Sequence, residues 1–340
     1  TNIINEVTTM KAVQIGAAGH AMYAYNAIKS RSIEFAAISC GSHGNDAEGI
    51  AGALAGLEKR GFSPKLYDDW RDMLDREQPD IVIINPWFCD NADCAVYALE
   101  HNIDVFCEKP VADTLERLEV LEAAVKASGA KFAGMFGTRN EASFRAAKRA
   151  VEDGRIGEIR LMDSRKSYKL GARPDFYKSR ETYCGIIPWV AIHAIDWMAW
   201  LSGERYVGVA SIHSSRANFG NGDMDITAAA MFAMTNDVIA TVTADMLRPS
   251  VAKSHGDDRV RLVGTKGVLE IRDNVCELIS DAEGYVTLTG ESGDIFAEFL
   301  DMSRDENAAL SADAIEITRW ALLARDYAEK QNLWNGETNE

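Results

Sequence analysis

The tripeptide Glu108-Lys109-Pro110 sets an acid and a lysine directly behind the short apolar run 103–107. Such a run predicts a buried strand, and the carboxyl ends of strands in an open parallel sheet face the ligand crevice. A lysine at that place can polarise a carbonyl or alkoxide oxygen. A surface lysine that guards an edge strand has the same local sequence, so the tripeptide alone leaves a catalytic and a structural role open.

A second candidate pair, His193 and Asp196, lies in the apolar stretch 186–197. Residues at this spacing share one face of a helix, and Pro188 suits a first helical turn. In a buried helix the imidazole and the carboxylate both need partners, because unpaired buried polar groups are costly. They can pair with each other and leave the second nitrogen of His193 as a base. A core histidine with structural partners is the alternative.

A glycine turn follows the first β-like run of the chain and precedes an alanine-rich helical segment. In the dinucleotide fingerprint G-x-G-x-x-G/A, Gly16 takes the first place, Ala18 the second and Ala21 the third. Ala18 adds a methyl group where the backbone normally approaches the pyrophosphate, and Gly19 can restore that approach in a shifted loop. An ordinary tight turn also fits. The interpretation as a nicotinamide dinucleotide site, with phosphates on the helix N-terminus, predicts contacts from Gly16, Ala18, Gly19 and His20.

The end of the second predicted strand bears on the choice between NAD and NADP, since an acid there would hold the ribose 2′-hydroxyl. The stretch 39–43 contains neither an acid nor an arginine. Ser42 and His43 can contact a 2′-phosphate but also suit a polar loop. The choice therefore stays open, with a slight preference for NAD. Asn85 and Pro86 end another predicted strand and are expected at the same crevice.

The composition excludes several classes of protein. The chain has 340 residues, of which 47% are hydrophobic and 26% charged, so it is long enough for two globular domains. Its net charge of -16 argues against nucleic acid or an anionic membrane as a partner. The six cysteines form no C-x-x-C pair, which predicts reduced thiols and no metal site. We see no membrane-spanning run or signal peptide, interpret residues 1–9 as a flexible tail, and expect a cytoplasmic protein.

The first part of the chain alternates strands and helices. Strands are predicted at 11–15, 34–40, 80–85, 103–107 and 131–136, and helices at 47–60, at 92–101 and from Thr114. This alternation predicts a doubly wound parallel sheet, and so an α/β protein with a Rossmann dinucleotide-binding domain over residues 10–136.

The second part of the chain is dominated by consecutive strands. A helix at 138–154 and a strand at 158–168 lead to strands at 207–215, 228–234, 238–245, 259–263, 268–271 and 276–279. Residues 264–267 form a predicted hairpin turn, and an amphipathic helix at 309–329 closes the chain. We predict an α+β domain over residues 137–332 with a large, open, mostly antiparallel sheet for substrate binding and oligomer contacts.

Aromatic and arginine side chains in the predicted loops of this domain suit the flat, hydroxylated surface of a sugar ring. Each one can equally serve loop packing. The candidates for substrate contact are Tyr168, Arg173, Tyr177, Tyr183 and Trp189.

The order of these motifs resembles the Gfo/Idh/MocA oxidoreductases, the glucose-fructose oxidoreductase and inositol dehydrogenase family. The resemblance extends from Met10 to about Asn332, and Glu108-Lys109-Pro110 and His193-x-x-Asp196 are its most specific parts. It implies reversible hydride transfer between NAD(P) and a sugar or polyol hydroxyl. Lys109 would contact the substrate oxygen and the nicotinamide, Glu108 would line the cofactor site, His193 would take the hydroxyl proton, and Arg139 would face the substrate.

Two positions depart from the family pattern. The family often carries an aspartate four residues before this histidine, where the chain has Trp189, and a histidine where it has Asn91. Asp196 or a substrate group would then complete the catalytic site.

The leading hypothesis is an NAD(P)-dependent dehydrogenase acting on a small sugar or polyol, assembled as a homodimer or homotetramer. The alternatives are a redox-neutral glycoside-cleaving enzyme with retained NAD and a catalytically silent nucleotide-binding regulatory protein.

Overall fold

The computed structural model describes residues 9–42 and 47–331, which form two compact units. The first unit contains the described residues up to Ala112 together with Glu116–Met135 and Asp294–Ala314. The second contains Asp113–Leu115, Phe136–Gly293 and the described residues from Ile315. Sequence analysis assigned residues 294–314 to the second domain, whereas the structure groups them with the first unit.

The elements follow the chain in a simple order. The first stretch has β1 (Lys11–Ile15), α1 (Met22–Ser30), β2 (Glu34–Ser39), α2 (Ala47–Lys59), β3 (Lys65–Tyr67), α3 (Trp70–Glu77), β4 (Ile81–Ile84), α4 (Asn91–Glu100), β5 (Asp104–Cys107), α5 (Leu115–Ala127) and β6 (Phe132–Gly134). The rest has α6 (Ala142–Glu152), β7 (Ile159–Tyr168), α7 (Arg180–Tyr183), α8 (Ile192–Ser202), β8 (Tyr206–Ser214), β9 (Thr227–Met234), β10 (Val238–Asp245), β11 (Gly256–Gly264), β12 (Gly267–Arg272), β13 (Val275–Ser280), β14 (Gly284–Leu288), α9 (Ile295–Asp301) and α10 (Arg304–Gln331).

The first unit is built on a parallel sheet with the strand order β3-β2-β1-β4-β5-β6. β4 is buried along its whole length, as expected for a central strand that helices cover on both faces. This arrangement confirms the predicted Rossmann fold. Two short elements, β3 and α3, were not predicted, because neither shows a sustained apolar period. The one local signal for α3 is its N-cap Asp69, whose side chain accepts hydrogen bonds from the Arg71 and Asp72 N–H groups.

The late segment 294–314 joins this unit through aromatic packing. Phe296 and Phe299 of α9 lie against Phe106 of β5, with ring centroids 5.0 and 5.8 Å apart. Asn307 also bridges to β6, because its Oδ1 accepts from the Phe132 N–H and its Nδ2 donates to the Phe132 carbonyl. Sequence analysis missed α9, since a helix of seven residues gives little periodic signal.

Glu77, at the end of α3, anchors the edge of this sheet. Its carboxylate accepts hydrogen bonds from Lys65 Nζ at 2.8 Å, Tyr67 Oη at 2.6 Å and Lys11 Nζ at 3.3 Å. The Lys65 and Tyr67 hydrogen bonds, and then that of Lys11, lower the pKa of Glu77 from 4.5 to about 2 although burial opposes them.

We expect Glu77→Gln to lower the free energy of unfolding by roughly 2 kcal/mol at neutral pH. The folded-state pKa lies below the unfolded one, so this contribution exists above about pH 4.5 and disappears as the pH falls toward 2. Urea unfolding of both proteins across this range measures the difference. Asp72→Asn, which removes an exposed helical pair with Arg76, is the control and should cost only a few tenths of a kcal/mol. A loss that does not depend on pH would contradict the prediction.

The second unit is built on an eight-stranded sheet in the order β14-β13-β12-β11-β7-β10-β9-β8. All neighbouring strands are antiparallel except β7 and β10. The predicted α+β arrangement is therefore confirmed, and β14 is an additional strand at one edge. Because side chains alternate along β7, Lys166 and Tyr168 share the face on which α8 packs.

The expectation that no apolar run reaches membrane-spanning length is wrong. Among the residues that the structure describes, the helical run Arg180–Ser202 is long and apolar enough to cross a membrane, but 89% of its most apolar window is buried within the protein. This burial is typical of a core helix. The run begins with α7, passes through a π-helical turn at Ile187–Ala191 and ends as α8.

Candidate functional site

The glycine turn after β1 is shaped by the chain that follows β4. Gly16 has a φ of +73°, and a Cβ there would lie 2.2 Å from the Pro86 Cα atom. Asn85 connects both segments, because its N–H donates to the Ile15 carbonyl and its carbonyl accepts from the Ala18 N–H, each at 2.7 Å. Glycine is therefore required at position 16, and the structure brings Gly16, Asn85 and Pro86 together as the sequence predicted.

Gly19 leaves room for Glu108, the residue that follows β5. A Cβ at this position would lie 2.0 Å from Glu108 Oε2. That oxygen accepts hydrogen bonds from the His20 backbone N–H at 2.5 Å and from His20 Nδ1 at 2.8 Å. The sequence predicted that Gly19 admits the pyrophosphate, whereas in the structure Gly19 admits the protein's own carboxylate.

The charge on Glu108 is stabilised within the protein. Burial would raise the pKa of this fully buried carboxyl, but His20 and then Lys109 lower it below its ordinary value. The Lys109 N–H also donates to Glu108 Oε1 at 2.9 Å. A single ionised side chain thus joins the glycine turn to the backbone of the candidate catalytic lysine.

We expect Glu108→Gln to weaken nucleotide binding by about tenfold and to lower the free energy of unfolding by roughly 1–3 kcal/mol. The amide keeps one acceptor but sets an NH₂ group against donors and removes the negative charge. Fluorescence titration with NAD and NADP, together with urea unfolding, measures both effects. Glu116→Gln, an exposed change on α5, is the matched control. Wild-type affinity in Glu108→Gln would show that the carboxylate does not organise the turn.

Lys109 lies two residues beyond the end of β5 and is fully buried. Asn91 fixes the backbone on both sides of it, because Asn91 Nδ2 donates to the Glu108 carbonyl at 3.1 Å and to the Pro110 carbonyl at 2.9 Å. Sequence analysis treated Asn91 only as a departure from a family histidine. The structure shows that this amide clamps the segment that carries the lysine.

A cleft of about 490 Å³ lies at the end of β2. Ser42 is held there, since its N–H donates to Asp90 Oδ2 at 3.0 Å and its Oγ accepts from Trp70 Nε1 at 3.2 Å. The Arg71 guanidinium lies 3.9 Å from the centroid of the Trp70 ring and also lines the cleft. Sequence analysis did not single out Arg71, and His43 lies outside the described residues.

These residues fit a dinucleotide. α1 begins directly after the glycine turn and has no side-chain N-cap, so the positive end of its helix dipole at this turn favours an anion. The close approach of Gly16 to the β4 loop gives the tight turn that the dinucleotide fingerprint requires. The cleft at the end of β2 stands where a Rossmann fold takes the adenosine half.

In the second unit, His193 lies on α8 and is buried. Its Nε2 is 3.4 Å from the Tyr168 hydroxyl, and the two rings meet edge to face with centroids 6.5 Å apart. Tyr168 also stacks on His255, which is exposed. The structure therefore brings together His193 and Tyr168, which the sequence proposed separately.

Asp196 forms an ion pair with Arg139 that the sequence did not predict. Arg139 Nε donates to both carboxylate oxygens at 2.9 and 3.1 Å, and Arg139 Nη2 donates to Oδ1 at 2.5 Å. Both side chains are buried. This buried ion pair fixes α8 to the chain before α6. The role of Asp196 in holding the His193 tautomer and that of Arg139 in contacting substrate stay predictions.

Three of the predicted substrate contacts pack against one another. Tyr177, Tyr183 and Trp189 are buried, with Tyr177 lying 5.1 Å from Tyr183 and 6.2 Å from Trp189 between ring centroids. Burial, followed by the charge of Asp225, raises the pKa of Tyr183 well above its ordinary value. The Arg173 guanidinium lies 5.2 Å from the Tyr177 centroid. This cluster stabilises the segment before α8.

The structure adds Lys166 and Asp258 to the surroundings of Tyr168. Lys166 Nζ donates to Asp258 Oδ2 at 2.7 Å and lies 4.9 Å from the Tyr168 ring centroid. Side chains two residues apart on β7 point to the same face, so the sequence could have indicated that Lys166 lies beside Tyr168. Asp258 depends on the register of β11 against β7, which no local pattern gives.

A doubly wound sheet with a glycine turn, followed by a large open sheet, defines a two-domain oxidoreductase architecture. The NAD-binding Rossmann model of the oxidoreductase family matches residues 12–136, and the Gfo/Idh/MocA C-terminal domain model matches residues 144–270. The chain belongs to the Gfo/Idh/MocA family.

Individual relatives agree with this membership. An oxidoreductase structure from Thermotoga maritima is 39% identical with a TM-score of 0.89, and covers 94% of this chain and 98% of its own. Inositol 2-dehydrogenase of Salmonella typhimurium is 31% identical over 159 residues, so the chain spans about half the length of this curated relative, at 46% of each. An NAD⁺ complex of an inositol dehydrogenase homologue from Azotobacter vinelandii shares the fold, at 16% identity and a TM-score of 0.79 over 96% of both chains.

Proposed function

We propose that this protein is an NAD(P)-dependent dehydrogenase that oxidises a CH–OH group of a small sugar or polyol. The observation that carries the proposal is Glu108, whose carboxylate holds the glycine turn and whose neighbour is Lys109. The Glu108 carboxylate accepts hydrogen bonds from both the glycine turn and the Lys109 backbone, so it connects the proposed dinucleotide site to the candidate catalytic lysine. Inositol 2-dehydrogenase among the relatives supports a cyclic polyol as the first substrate class to examine.

The residues divide the chemistry between them. The Lys109 ammonium would donate to the substrate oxygen and stabilise negative charge on it as the hydroxyl proton leaves. His193 Nε2 would accept that proton, with Tyr168 orienting the imidazole. Asp196 is a positioning residue through its ion pair with Arg139. The C–H electron pair leaves as hydride, and the carbon forms a carbonyl group. The dinucleotide, when bound, supplies the hydride acceptor.

The cofactor preference follows from the cleft beyond β2. No acid follows directly after β2 in the described chain, and Ser42 and Arg71 line the cleft, so both NAD and NADP are candidates. We propose NAD as the main cofactor, because the family model and the inositol dehydrogenase homologue complex both name NAD.

Steady-state assays test the proposed function. The full chain is incubated with NAD or NADP and a panel of inositols, aldoses and glycosides, and formation of reduced nicotinamide is followed together with the oxidised product. Dehydrogenation of at least one free sugar or polyol is expected. Nucleotide binding without turnover on any member would favour a regulatory protein and overturn the proposal.

Trp189 favours one second candidate. It stands where the family often has an aspartate, so a redox-neutral glycoside-cleaving enzyme with retained NAD is the alternative. Such an enzyme would oxidise a ring hydroxyl, eliminate the glycosidic substituent and reduce the product with the same cofactor. Release of the aglycone without net formation of reduced nicotinamide would support it. Net reduction with a free polyol would contradict it.

The open face of the second sheet supports a proposed homodimer or homotetramer. Met231 and Ile239 are 55% and 51% exposed on this face, and Arg261 and Glu270 form an ion pair nearby on neighbouring strands. A surface with apolar residues and both charges can pair with a second copy of itself about a two-fold axis. Light scattering of the wild type and of Met231→Lys measures the assembly, which should weaken in the variant.

We also propose a cytoplasmic location, which fractionation of the source cell would test.

A further inference from the structure

A buried charge cluster lies beside the pair formed by Tyr168 and His193. Lys166 stands directly opposite Asp258 in the register of β7 and β11. Its Nζ lies 2.7 Å from Asp258 Oδ2, and only 7% of the lysine side chain is exposed. Burying an ammonium group is costly unless a counter-charge holds it, so this lysine has one defined position.

Two aromatic rings fix the direction of the lysine. Its Nζ lies 4.9 Å from the Tyr168 centroid and 5.2 Å from the Trp197 centroid. Trp197 is on α8, one turn beyond His193, and these two rings are 6.2 Å apart. A cation over a ring face is attracted by the electrons of the ring. The ammonium group is therefore packed against the same rings that contact the candidate base.

The field of this cation already reaches a neighbouring histidine. Burial and the positive charges of Arg173, Lys166 and Lys169 lower the pKa of His255, which stacks on Tyr168. A positive charge near an imidazole disfavours the imidazolium. His193 touches the same tyrosine ring and is more buried, so we expect it to experience the same field.

We propose that Lys166, held by Asp258, is a positioning residue that keeps His193 neutral and orients Tyr168 toward it. This inference rests on the proposed function, because a neutral imidazole is what proton acceptance from a hydroxyl requires.

Other charged groups surround these residues. Glu141, before α6, has its pKa raised by burial and by the charge of Asp258. Asp258 Oδ1 is buried and has no hydrogen-bond partner in the described chain. The Asp196 carboxylate faces the Arg139 guanidinium, which offsets its charge. Lys166 is a cation packed directly against the Tyr168 ring, and the titratable side chains of His193 and His255 also contact this tyrosine.

The titration of His193 tests the inference without any turnover. The six histidines of the chain are labelled with ¹⁵N and followed by NMR, and His193→Asn assigns the signal. We expect Lys166→Met to raise the His193 pKa by roughly 0.5–1 pH unit, since one nearby charge is removed. Lys166→Arg keeps the charge and should keep the wild-type value. Lys178→Met, at an exposed lysine in the same unit, is the control.

A second variant and a kinetic measurement complete the test. Asp258→Asn removes the negative counter-charge, so it should lower the His193 pKa. This variant replaces Lys166→Met in the test if Lys166→Met does not fold. In the dehydrogenase assay, the acidic limb of kcat/KM should move to higher pH in Lys166→Met and remain in place in His255→Asn. Unchanged His193 titration in folded Lys166→Met and Asp258→Asn overturns the inference. Absence of turnover in the wild type contradicts only the proposed function.

Discussion

Lys109→Met lowers kcat by about 10²–10³-fold and leaves nucleotide binding close to the wild-type value. Methionine matches the length of the lysine stem but has no ammonium group to stabilise negative charge on the substrate oxygen. The backbone of this segment is held by Asn91 and Glu108, so the fold should survive the substitution. Single-turnover formation of reduced nicotinamide measures the effect on hydride transfer directly.

Lys126→Met is the matched control, because Lys126 is exposed on α5 and pairs with Glu122 one turn away. It should have wild-type kinetics. Circular dichroism and thermal unfolding of both variants separate lost chemistry from lost structure. Unchanged turnover in folded Lys109→Met would remove the lysine from the proposed mechanism.

His193→Ala gives the second large effect, a fall in kcat/KM of about 10²–10⁴-fold together with loss of the acidic limb of the pH–rate profile. That limb reports protonation of the base, so it should vanish with the imidazole. The residual rate should rise with pH as hydroxide or water takes the proton. Profiles of kcat and kcat/KM measured over the full range of stability provide the test.

His101→Ala is the control for this substitution. His101 is exposed at the end of α4, where its Nδ1 lies 2.7 Å from the Tyr97 carbonyl. Removing the His101 imidazole should leave kcat/KM and the acidic limb of the pH–rate profile unchanged. An acidic limb that persists in His193→Ala would assign the base to another group, and Tyr168 would be the first to examine.

The sequence predicts much of the fold because the relevant signals are local. The run before Gly16, the apolar β4 and the Gly264-Thr265-Lys266-Gly267 turn each specify their own conformation within a few residues. Glu108 and Lys109 could be singled out for the same reason, since a strand that ends in charged residues is visible in the sequence.

The pairing of distant side chains could not be predicted in this way. Arg139 and Asp196 are 57 residues apart, and their ion pair depends on how α8 packs. Lys166 and Asp258 meet only because β11 pairs with β7 in one register. Tyr183 looked like a loop residue, but the short helix α7 and the π-helical turn after it place the ring in the core. Tertiary packing decides these positions.

The contact between Gly19 and Glu108 limits how this protein can evolve or be engineered. Any side chain at position 19 would collide with the glutamate, and any shorter acid at position 108 would lose its reach to His20. The two positions should therefore change together in a lineage or not at all. To exchange NAD for NADP, the glycine turn should be kept and Ser42 and Arg71 varied. Both residues line the cleft at the end of β2, so substitutions there leave the contact between Gly19 and Glu108 unchanged.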